Sequence, residues 1–287
     1  MNIKIANFAK ITPMDATELK VHLIEVQEGN RIWDDENKVL LVRSMIEHIG
    51  STDSELRDNL IYNLFCQLIL EKNQLDHKLL YDILEWCVSK TLFVGIGENG
   101  TDSVFTRSFT LLLIALILYR DNADNFLGDS MIFKTKDALI EYMILEKDLR
   151  GYVPEKGWAH SIAHAADAID ELVKNPNLAR SSYHELVEVL WKTMFVSTSV
   201  YIHDEDERII VPLLAMVSNG LNPDILQSFI QGIPAALRLQ KEQLSEENYW
   251  FLYANSKTFL KSLYREMNSH SDLHLFVQSI DDCLRKM

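Results

Sequence analysis

Apolar residues recur along the chain at the spacing of amphipathic helices. In residues 35–48, for example, Val39, Val42, Met45 and Ile46 fall on one side of a helix because they are three or four positions apart. No convincing alternation of apolar and polar residues, the pattern of a half-buried strand, interrupts the helical runs. The pattern therefore predicts an all-α protein with little or no sheet.

Residues that start or stop helices separate these runs. Thr12 and Pro13 form a typical helix start, and Gly29 with Asn30 provides a stop before the helix at 35–48. Further helices are predicted at 53–71, 76–90, 102–120, 129–148, 157–174, 181–196, 204–219, 223–231, 234–244, 246–268 and 270–286.

Several of the helix starts resemble one another. The segments 50–70 and 100–118 both open with Gly, continue through Thr-Asp-Ser to an Arg, and end in a long apolar helix. Their aspartates lie 49 residues apart, close to the ~40–47-residue period of HEAT and armadillo repeats. An aspartate precedes an arginine by four or five residues at three starts: Asp53 and Arg57, Asp102 and Arg107, and Asp204 and Arg208.

These starts predict a HEAT/armadillo-like α-solenoid, an α–α superhelix of degenerate helical hairpins, in a single domain over residues 1–287. In such a stack each aspartate caps a helix, and the arginine one turn later reaches the aspartate of the next repeat. The alternative is that the pairs arise by chance, because both residue types are common at helix starts.

Composition narrows the class of protein and its partners. The 287 residues include 47% hydrophobic residues and only 10 Gly and 6 Pro, which is typical of a globular helical protein. The 28 basic and 42 acidic residues give a net charge of −14. Because no cluster of Lys and Arg offers a phosphate footprint, nucleic acid and anionic membrane surfaces are not expected as partners.

The cysteines and the apolar runs favour a soluble protein of the cytoplasm. Cys66, Cys87 and Cys283 are scattered and odd in number, as expected for reduced core thiols rather than a disulfide framework. The N-terminal residues lack the apolar stretch of a signal peptide. The most apolar run, Phe109 to Tyr119, is far shorter than the ~20 residues that span a bilayer, so we expect a buried helix there.

Residues 150–172, RGYVPEKGWAHSIAHAADAIDEL, concentrate the side chains best suited to chemistry. A helix is predicted to begin near Gly157 and Trp158. Its spacing places His160, His164 and Asp167 on one stripe, with Trp158 on the opposite, apolar face that packs on the core.

Two histidines four positions apart on a helix can bind one metal ion, and a carboxylate beside them suits Zn, Mn or Fe. Seven residues of helix rise separate His160 from Asp167 by roughly 10.5 Å, which is long for three ligands of one ion. A site would therefore use His160 with His164, or His164 with Asp167, together with Glu146, Asp148 or a more distant residue. In the structural alternative, Asp167 orients His164 and the motif joins two helical pairs.

The same segment and its flanks resemble a bacterial family of about this length that is classed as a domain of unknown function. The resemblance rests on these residues: Arg107-Ser108-Phe109, Asp148, Arg150-Gly151-Tyr152-Val153, Gly157-Trp158-Ala159-His160, Ala163-His164 and Asp167. Two helix starts fit the same pattern, one with Asp53, Arg57 and Asp58 and the other with Asp204, Glu207 and Arg208. It implies a mostly helical, armadillo-like protein of the bacterial cytoplasm with no established activity.

Two functional hypotheses remain from the sequence. The first is a helical-repeat scaffold that binds a protein or peptide partner, preferably a basic one because of the net charge of −14. The second is a metal-dependent or general acid–base enzyme built on the His160, His164 and Asp167 stripe. Neither fixes an oligomeric state. The candidate functional residues are Arg107, Asp148, Arg150, Trp158, His160, His164, Asp167 and Arg208.

Overall fold

Helices form most of the described structure, and the chain divides into two units. The computed structural model describes Phe8, Trp33 and residues 10–31, 37–268 and 273–287. The units are Met1–Ala168 and Ile169–Met287, and the boundary falls within one helix. The all-α class is confirmed, whereas the single repeat domain over 1–287 stays a prediction. The expected helix beginning at 35 and that beginning at 270 start outside the described residues.

Within residues 10–31 and 37–168, the first unit contains six helices, a hairpin and the start of a seventh helix. They are α1 Ala16–Gln27, α2 Lys38–Glu47, α3 in three consecutive segments (π-helical Glu55–Tyr62, α-helical Asn63–Cys66 and π-helical Gln67–Glu71), α4 His77–Ser89, a 3₁₀ turn Thr91–Phe93, α5 Ser103–Asp124, α6 Asp129–Leu145, β1 Tyr152–Val153, β2 Gly157–Trp158 and α7 Ser161–Val173.

Within residues 169–268 and 273–287, the second unit contains the end of α7 and five further helices. They are preceded by a 3₁₀ turn Arg180–Ser182 and comprise α8 Tyr183–Met194, α9 Glu205–Ser218, α10 Pro223–Gln243, α11 Glu246–Asn268 and α12 His274–Lys286.

Helix α5 is the core helix of the first unit. It packs against α3 and α4, which bury side chains such as Phe105, Leu113 and Ile117 completely. Within the described part of the chain it is the one helix long and apolar enough to cross a membrane, but 72% of its apolar window is buried by other parts of the protein. The expectation of a buried helix here agrees with this packing.

A close backbone approach fixes the start of α5 against the end of α2. A Cβ at Gly50 would lie only 2.4 Å from the backbone nitrogen of Thr106. Only glycine leaves room for that approach, because any side chain would have to displace main-chain atoms. The Gly that precedes the first repeated helix start is therefore a packing residue.

The helix expected at 157–174 begins later than predicted. Gly157 and Trp158 belong instead to a two-residue strand, which pairs antiparallel with Tyr152 and Val153 so that Tyr152 lies opposite Trp158. The chain reverses through positive φ angles of 66° at Glu155, in the turn, and 85° at Gly157, the first residue of the second strand. Strands of two residues are too short to produce a recognisable alternation of apolar and polar residues, so the sequence pattern does not predict them.

The two helices expected at 223–231 and 234–244 are a single helix, α10. Pro234 cannot donate a hydrogen bond to the carbonyl of Ile230, and this loss normally ends or kinks a helix. Here the Sγ–H of Cys283 donates to the Ile230 carbonyl at 3.1 Å. Because a buried side chain satisfies the freed carbonyl, the helix continues through the proline.

Candidate functional site

The backbone before α7 turns sharply at His160. This residue has a φ of 46°, in the left-handed region that non-glycine residues rarely occupy. The N–H groups of Ala159 and His160 both donate to the carbonyl of Gly151, at 2.7 and 3.3 Å, and the carbonyl of His160 accepts the N–H of His164 at 2.9 Å. The turn therefore joins the hairpin to the helix and sets the direction of the His160 side chain.

A series of ring contacts follows from this turn. The rings of Trp158 and His160 are stacked, with centroids 4.3 Å apart and an interplanar angle of 12°. The His160 and His164 rings lie 5.7 Å apart, and His164 meets Phe109 of α5 edge-to-face at 5.6 Å. Tyr152 contacts Trp158 edge-to-face at 5.1 Å from the other strand.

Trp158 does not pack in the core as the sequence pattern predicted. It is 43% exposed, and Tyr152 beside it is 49% exposed. The hairpin displaces Trp158 from the apolar face of α7, because that helix begins only at Ser161. Two large aromatic side chains are thereby held at the surface.

These rings form one side of a cleft of about 350 Å³ in the first unit. The other side comes from α3 and α5. The lining side chains are Asp58, Tyr62, Phe109, Leu112, Trp158, His160 and His164. Asp58 and Tyr62 share a face of the π-helical segment of α3, and such segments are frequent at functional sites.

Arg57 lies beneath the cleft and fixes Asp58. Its guanidinium is fully buried and donates from Nε and Nη2 to the two Asp58 oxygens, at 2.9 and 3.2 Å. It also stacks over the rings of Phe105 and Phe109, 4.4 and 4.8 Å from their centroids. Burial raises the pKa of the Asp58 carboxyl above its ordinary value, against the opposing effect of the Arg57 charge. The expectation that Arg57 reaches the aspartate of the next repeat is wrong, because its neighbour in sequence takes the pair.

The hairpin is held by residues of both repeated helix starts. Arg57 donates to the carbonyl of Lys156 at 2.7 Å, and Asp102 accepts from Nζ of the same lysine at 2.7 Å. A Cβ at Gly157 would lie 3.0 Å from Nη2 of Arg57, so the strand rests directly on the guanidinium. The two similar helix starts thus each contribute a side chain, Arg57 and Asp102, that bonds to the same hairpin residue.

A second polar network is centred on Arg107, which precedes the cleft-lining Phe109 by two residues on α5. This arginine is fully buried and donates from Nε and Nη2 to Glu146 at 2.7 and 2.8 Å, not to an aspartate of a following repeat as predicted. Its Nη1 donates to the carbonyls of Val94 and Gly95. The pair therefore ties the loop before α5 to the end of α6.

The adjacent Asp148 and Arg150 extend this network. Asp148 is fully buried and accepts from Arg150 Nε at 2.8 Å and from the N–H of Gly100 at 2.9 Å. Arg150 also donates to the carbonyl of Thr101 at 2.6 Å. These bonds fix the loop that leads into the hairpin, and neither side chain lines the cleft.

The family is now identifiable by comparison. Residues 92–264 match the model of a family described as a protein of unknown function, DUF2785. The chain belongs to this family. No curated protein and no solved structure matches the chain. The resemblance to a domain of unknown function is thereby confirmed.

The DUF2785 match includes only part of the cleft. Phe109, Trp158, His160 and His164 lie within the matched residues, whereas the α3 side of the cleft, with Asp58 and Tyr62, precedes them.

The predicted site residues separate into three groups. Trp158, His160 and His164 meet in the cleft. Arg107, Asp148 and Arg150 belong to the second polar network, which does not line the cleft. Asp167 is half-buried in α7 and does not appear among the cleft-lining side chains, and Arg208 is exposed in α9 of the second unit.

The proposed metal ligands do not assemble into a recognisable centre. Among the described residues, no group of three or more His, Cys, Asp or Glu side chains is arranged to hold a metal ion. Binding of Zn, Mn or Fe at His160, His164 and Asp167 stays a prediction.

The sequence pattern missed the residues that α3 and α5 bring to the cleft. Asp58 and Tyr62 are four positions apart and could have been recognised as one polar face of a helix. Their proximity to a motif about 100 residues later in the chain depends on tertiary packing, which periodicity does not report.

The second unit has a concave region of its own, a groove of about 610 Å³ between α8 and α10. Its lining residues are Trp191, Lys192, Phe195, Ser228, Phe229, Gly232, Ile233 and Ala236. The aromatic members are close together, with Trp191 5.5 Å from Phe229 and 6.2 Å from Phe195.

Proposed function

We propose that this protein binds a protein or peptide partner and that the cleft of the first unit receives one side chain of that partner. The observation that carries the proposal is the pair of exposed aromatic rings, Tyr152 and Trp158, at the mouth of a cleft lined by imidazoles and a carboxylate. Trp and Tyr are the side chains most enriched among residues that dominate binding energy at protein interfaces.

The rim of the cleft is held in place by hydrogen bonds to three parts of the first unit. The hairpin is bonded to Arg57, to Asp102 and, through Gly151, to the start of α7. Because these contacts exist before any partner arrives, little conformational entropy is lost when the aromatic rings are covered. An exposed but fixed aromatic pair is what a binding surface requires.

A helical-repeat arrangement would suit such a scaffold, and we include it in the proposal. In the first unit α1 packs on α2 and α3, and α4 packs on α5 and α6. In the second unit α10 packs on α11 and α12, and α9 packs on α11. Contacts between helices one or two places apart are expected of stacked hairpins. Small-angle scattering tests the idea, because a solenoid of this length should exceed the radius of gyration of about 19 Å expected for a globular chain.

The partner-binding proposal is tested with peptides and a matched pair of tryptophan variants. Peptides are selected on the whole protein from a random 12-residue library, and their affinities are measured by fluorescence polarisation for Trp158→Ala and Trp250→Ala. Trp250 is 54% exposed in the second unit and so controls for loss of an exposed indole. We expect Trp158→Ala to weaken binding by at least about tenfold and Trp250→Ala to leave it unchanged.

Equal effects of the two variants, or selected peptides that leave the Trp158, His160 and His164 resonances unperturbed, would contradict the proposal. Circular dichroism of both variants establishes that the fold is retained, so that weakened binding is not the result of unfolding.

A general acid–base enzyme is the second candidate. The observation that favours it is that two imidazoles and a carboxyl with a raised pKa face one cleft. Asp58 would then take the role that the sequence pattern gave to Asp167. A panel of ester, amide and phosphoester substrates should be turned over by the natural protein and not by the His160→Ala/His164→Ala double variant.

Metal content of the protein purified without an affinity tag distinguishes the two forms of this candidate. Stoichiometric Zn, Mn or Fe that disappears in the double variant would support the metal-dependent form. Turnover that survives in the double variant would exclude both imidazoles from the reaction.

A further inference from the structure

The cleft has a marked asymmetry of charge. Of the described side chains that line it, Asp58 alone carries a formal charge at neutral pH when the imidazoles are neutral. Arg57 supplies a positive charge from below, but its guanidinium is fully buried, and its donors are taken by Asp58 and by the carbonyls of Ser51 and Lys156. The surface that a ligand meets is therefore aromatic with one carboxylate.

The carboxylate of Asp58 has acceptor capacity left. An ionised carboxylate offers about four lone-pair positions, and Arg57 uses one on each oxygen. A second guanidinium could not form the same pair of parallel hydrogen bonds, because Arg57 already occupies the side of the carboxylate on which both oxygens can be bonded at once. A compact donor that needs a single oxygen fits better than a guanidinium.

From these contacts we infer that the cleft takes a lysine side chain of a peptide partner, with its ammonium group on Asp58 and its methylene stem along the aromatic walls. This deepens the proposed function and rests on it. The net charge of −14 favours a basic partner in general, and Asp58 provides the specific acceptor.

The aromatic walls act mainly on the stem. Trp158 already stacks on His160, and Phe109 already lies under the Arg57 guanidinium, so their faces are in use. Their remaining surface, with Tyr62 and Leu112, can cover four methylene groups. A volume of about 350 Å³ is at the lower end of the range for small-ligand pockets and has room for a lysine side chain.

The electrostatics of Asp58 support the same occupant. Its pKa is raised although an arginine is bonded to it, because the cost of burial outweighs the attraction of Arg57. A second cation would lower the free energy of the ionised carboxylate further. Lysine binding should therefore weaken as the pH falls through the pKa of Asp58, and protonation of His160 and His164, which face the same cleft beside Tyr62, would act in the same direction.

The test uses four nine-residue peptides that differ only at the central position: lysine, arginine, norleucine and glutamate. Binding to the full chain is followed by the NMR resonances of the His160 and His164 imidazoles, assigned with His160→Gln and His164→Gln. We expect the lysine peptide to bind at least about tenfold more tightly than the norleucine peptide, since a charge-assisted hydrogen bond distinguishes them, and more tightly than the arginine peptide.

Asp58→Asn should remove the preference for lysine over norleucine, whereas Asp137→Asn, an exposed and ion-paired aspartate elsewhere in the first unit, should not. Since Asp58→Asn leaves a buried Arg57 without its charge partner and can destabilise the fold, the pH dependence of the natural protein is measured as well. The affinity for the lysine peptide should fall on acidification more steeply than that for the norleucine peptide.

The outcomes separate the two proposals. If norleucine or glutamate binds in the cleft as tightly as lysine, the inference about lysine is overturned and partner binding stands. If the arginine peptide binds most tightly, the argument that Arg57 prevents a second guanidinium from pairing with Asp58 is wrong, and the inference about lysine is overturned. If no peptide perturbs either imidazole, including those selected from the random library, both proposals fail.

Discussion

The cleft of the first unit and the groove of the second unit differ in chemistry more than in form. The groove is the larger, about 610 Å³ against about 350 Å³, and has three aromatic side chains. Among its described lining residues Lys192 is the one titratable side chain, whereas the cleft has a carboxylate and two imidazoles. Size alone would direct attention to the groove. The side chains direct it to the cleft, because polar groups held in an apolar concavity are costly unless they have a use.

The two regions also differ in what lies behind them. A buried network of Arg107, Glu146 and Asp148 fixes the loops before α5 and before the hairpin of the cleft, while the ion pair at the groove, Lys192 with Glu188, is exposed. Buried charges need all their partners, and exposed ones need few. Substitutions in the two regions should therefore have very different costs.

The largest expected effect comes from the buried pair. Glu146→Gln leaves Arg107 without its counter-charge in a fully buried position, so we expect a loss of about 3–5 kcal/mol in the free energy of unfolding. Glu188→Gln, the matched change at the exposed pair, should have no measurable effect. Urea denaturation followed by circular dichroism checks both. Similar midpoints for the two variants would mean that the buried network does not support the first unit.

A smaller effect is expected from two glycines. Gly50→Ala forces a Cβ against the backbone of Thr106, which should cost about 1–3 kcal/mol. Gly232→Ala, on the helix beside the groove, meets nothing within 4 Å and should gain about 0.5–1 kcal/mol through helix propensity. The same denaturation measurement applies. A stabilising Gly50→Ala would show that α2 and α5 are not in the close contact described above.

The smallest expected effect is the change in the free energy of unfolding with pH. Because the folded state raises the pKa of Asp58, the folded protein binds a proton there more tightly than the unfolded chain does. The resulting stabilisation is complete below the unfolded pKa of Asp58 and is lost as the pH rises through the folded pKa. Asp53, whose pKa is lowered chiefly by its hydrogen bond with Lys20, should show the opposite dependence.

Carboxyl ¹³C titration by NMR gives both values directly. Asp58 should titrate above the ordinary aspartate range and Asp53 below it. If Asp58 titrated at or below the ordinary value, the electrostatic support for a bound cation would disappear.

The helical class of the fold could be predicted from the chain because apolar spacing over ten or more residues is a strong local signal. The hairpin could not, since two residues per strand give no period and Gly157 and Trp158 also suit the first turn of a helix. The continuation of α10 through Pro234 depends on Cys283, which lies far along the chain. Rules that consider only the residues next to a proline predict a helix end there, because they do not include a hydrogen bond from a residue far along the chain.

The candidate site was predictable to a similar extent. Trp158, His160 and His164 were recognised because they stand close together in an unusual segment. Arg57 and Arg107 were recognised as paired residues, but their partners are Asp58 and Glu146, and no spacing rule distinguishes these from other acids. Asp58 and Phe109 entered the cleft only through the packing of α3 and α5 against the hairpin.

The hydrogen bond from Cys283 to the Ile230 carbonyl makes that thiol a sensor of local opening. Cys283 is 3% exposed, and burial raises its pKa, so it is slow to react with a disulfide reagent while α12 stays on α10. In a Cys66→Ser/Cys87→Ala background, the labelling rate of Cys283 would report how often α12 separates from the proline-containing helix. A natural cysteine of the second unit can therefore be used to measure how often the last helix detaches, with no label engineered into the chain.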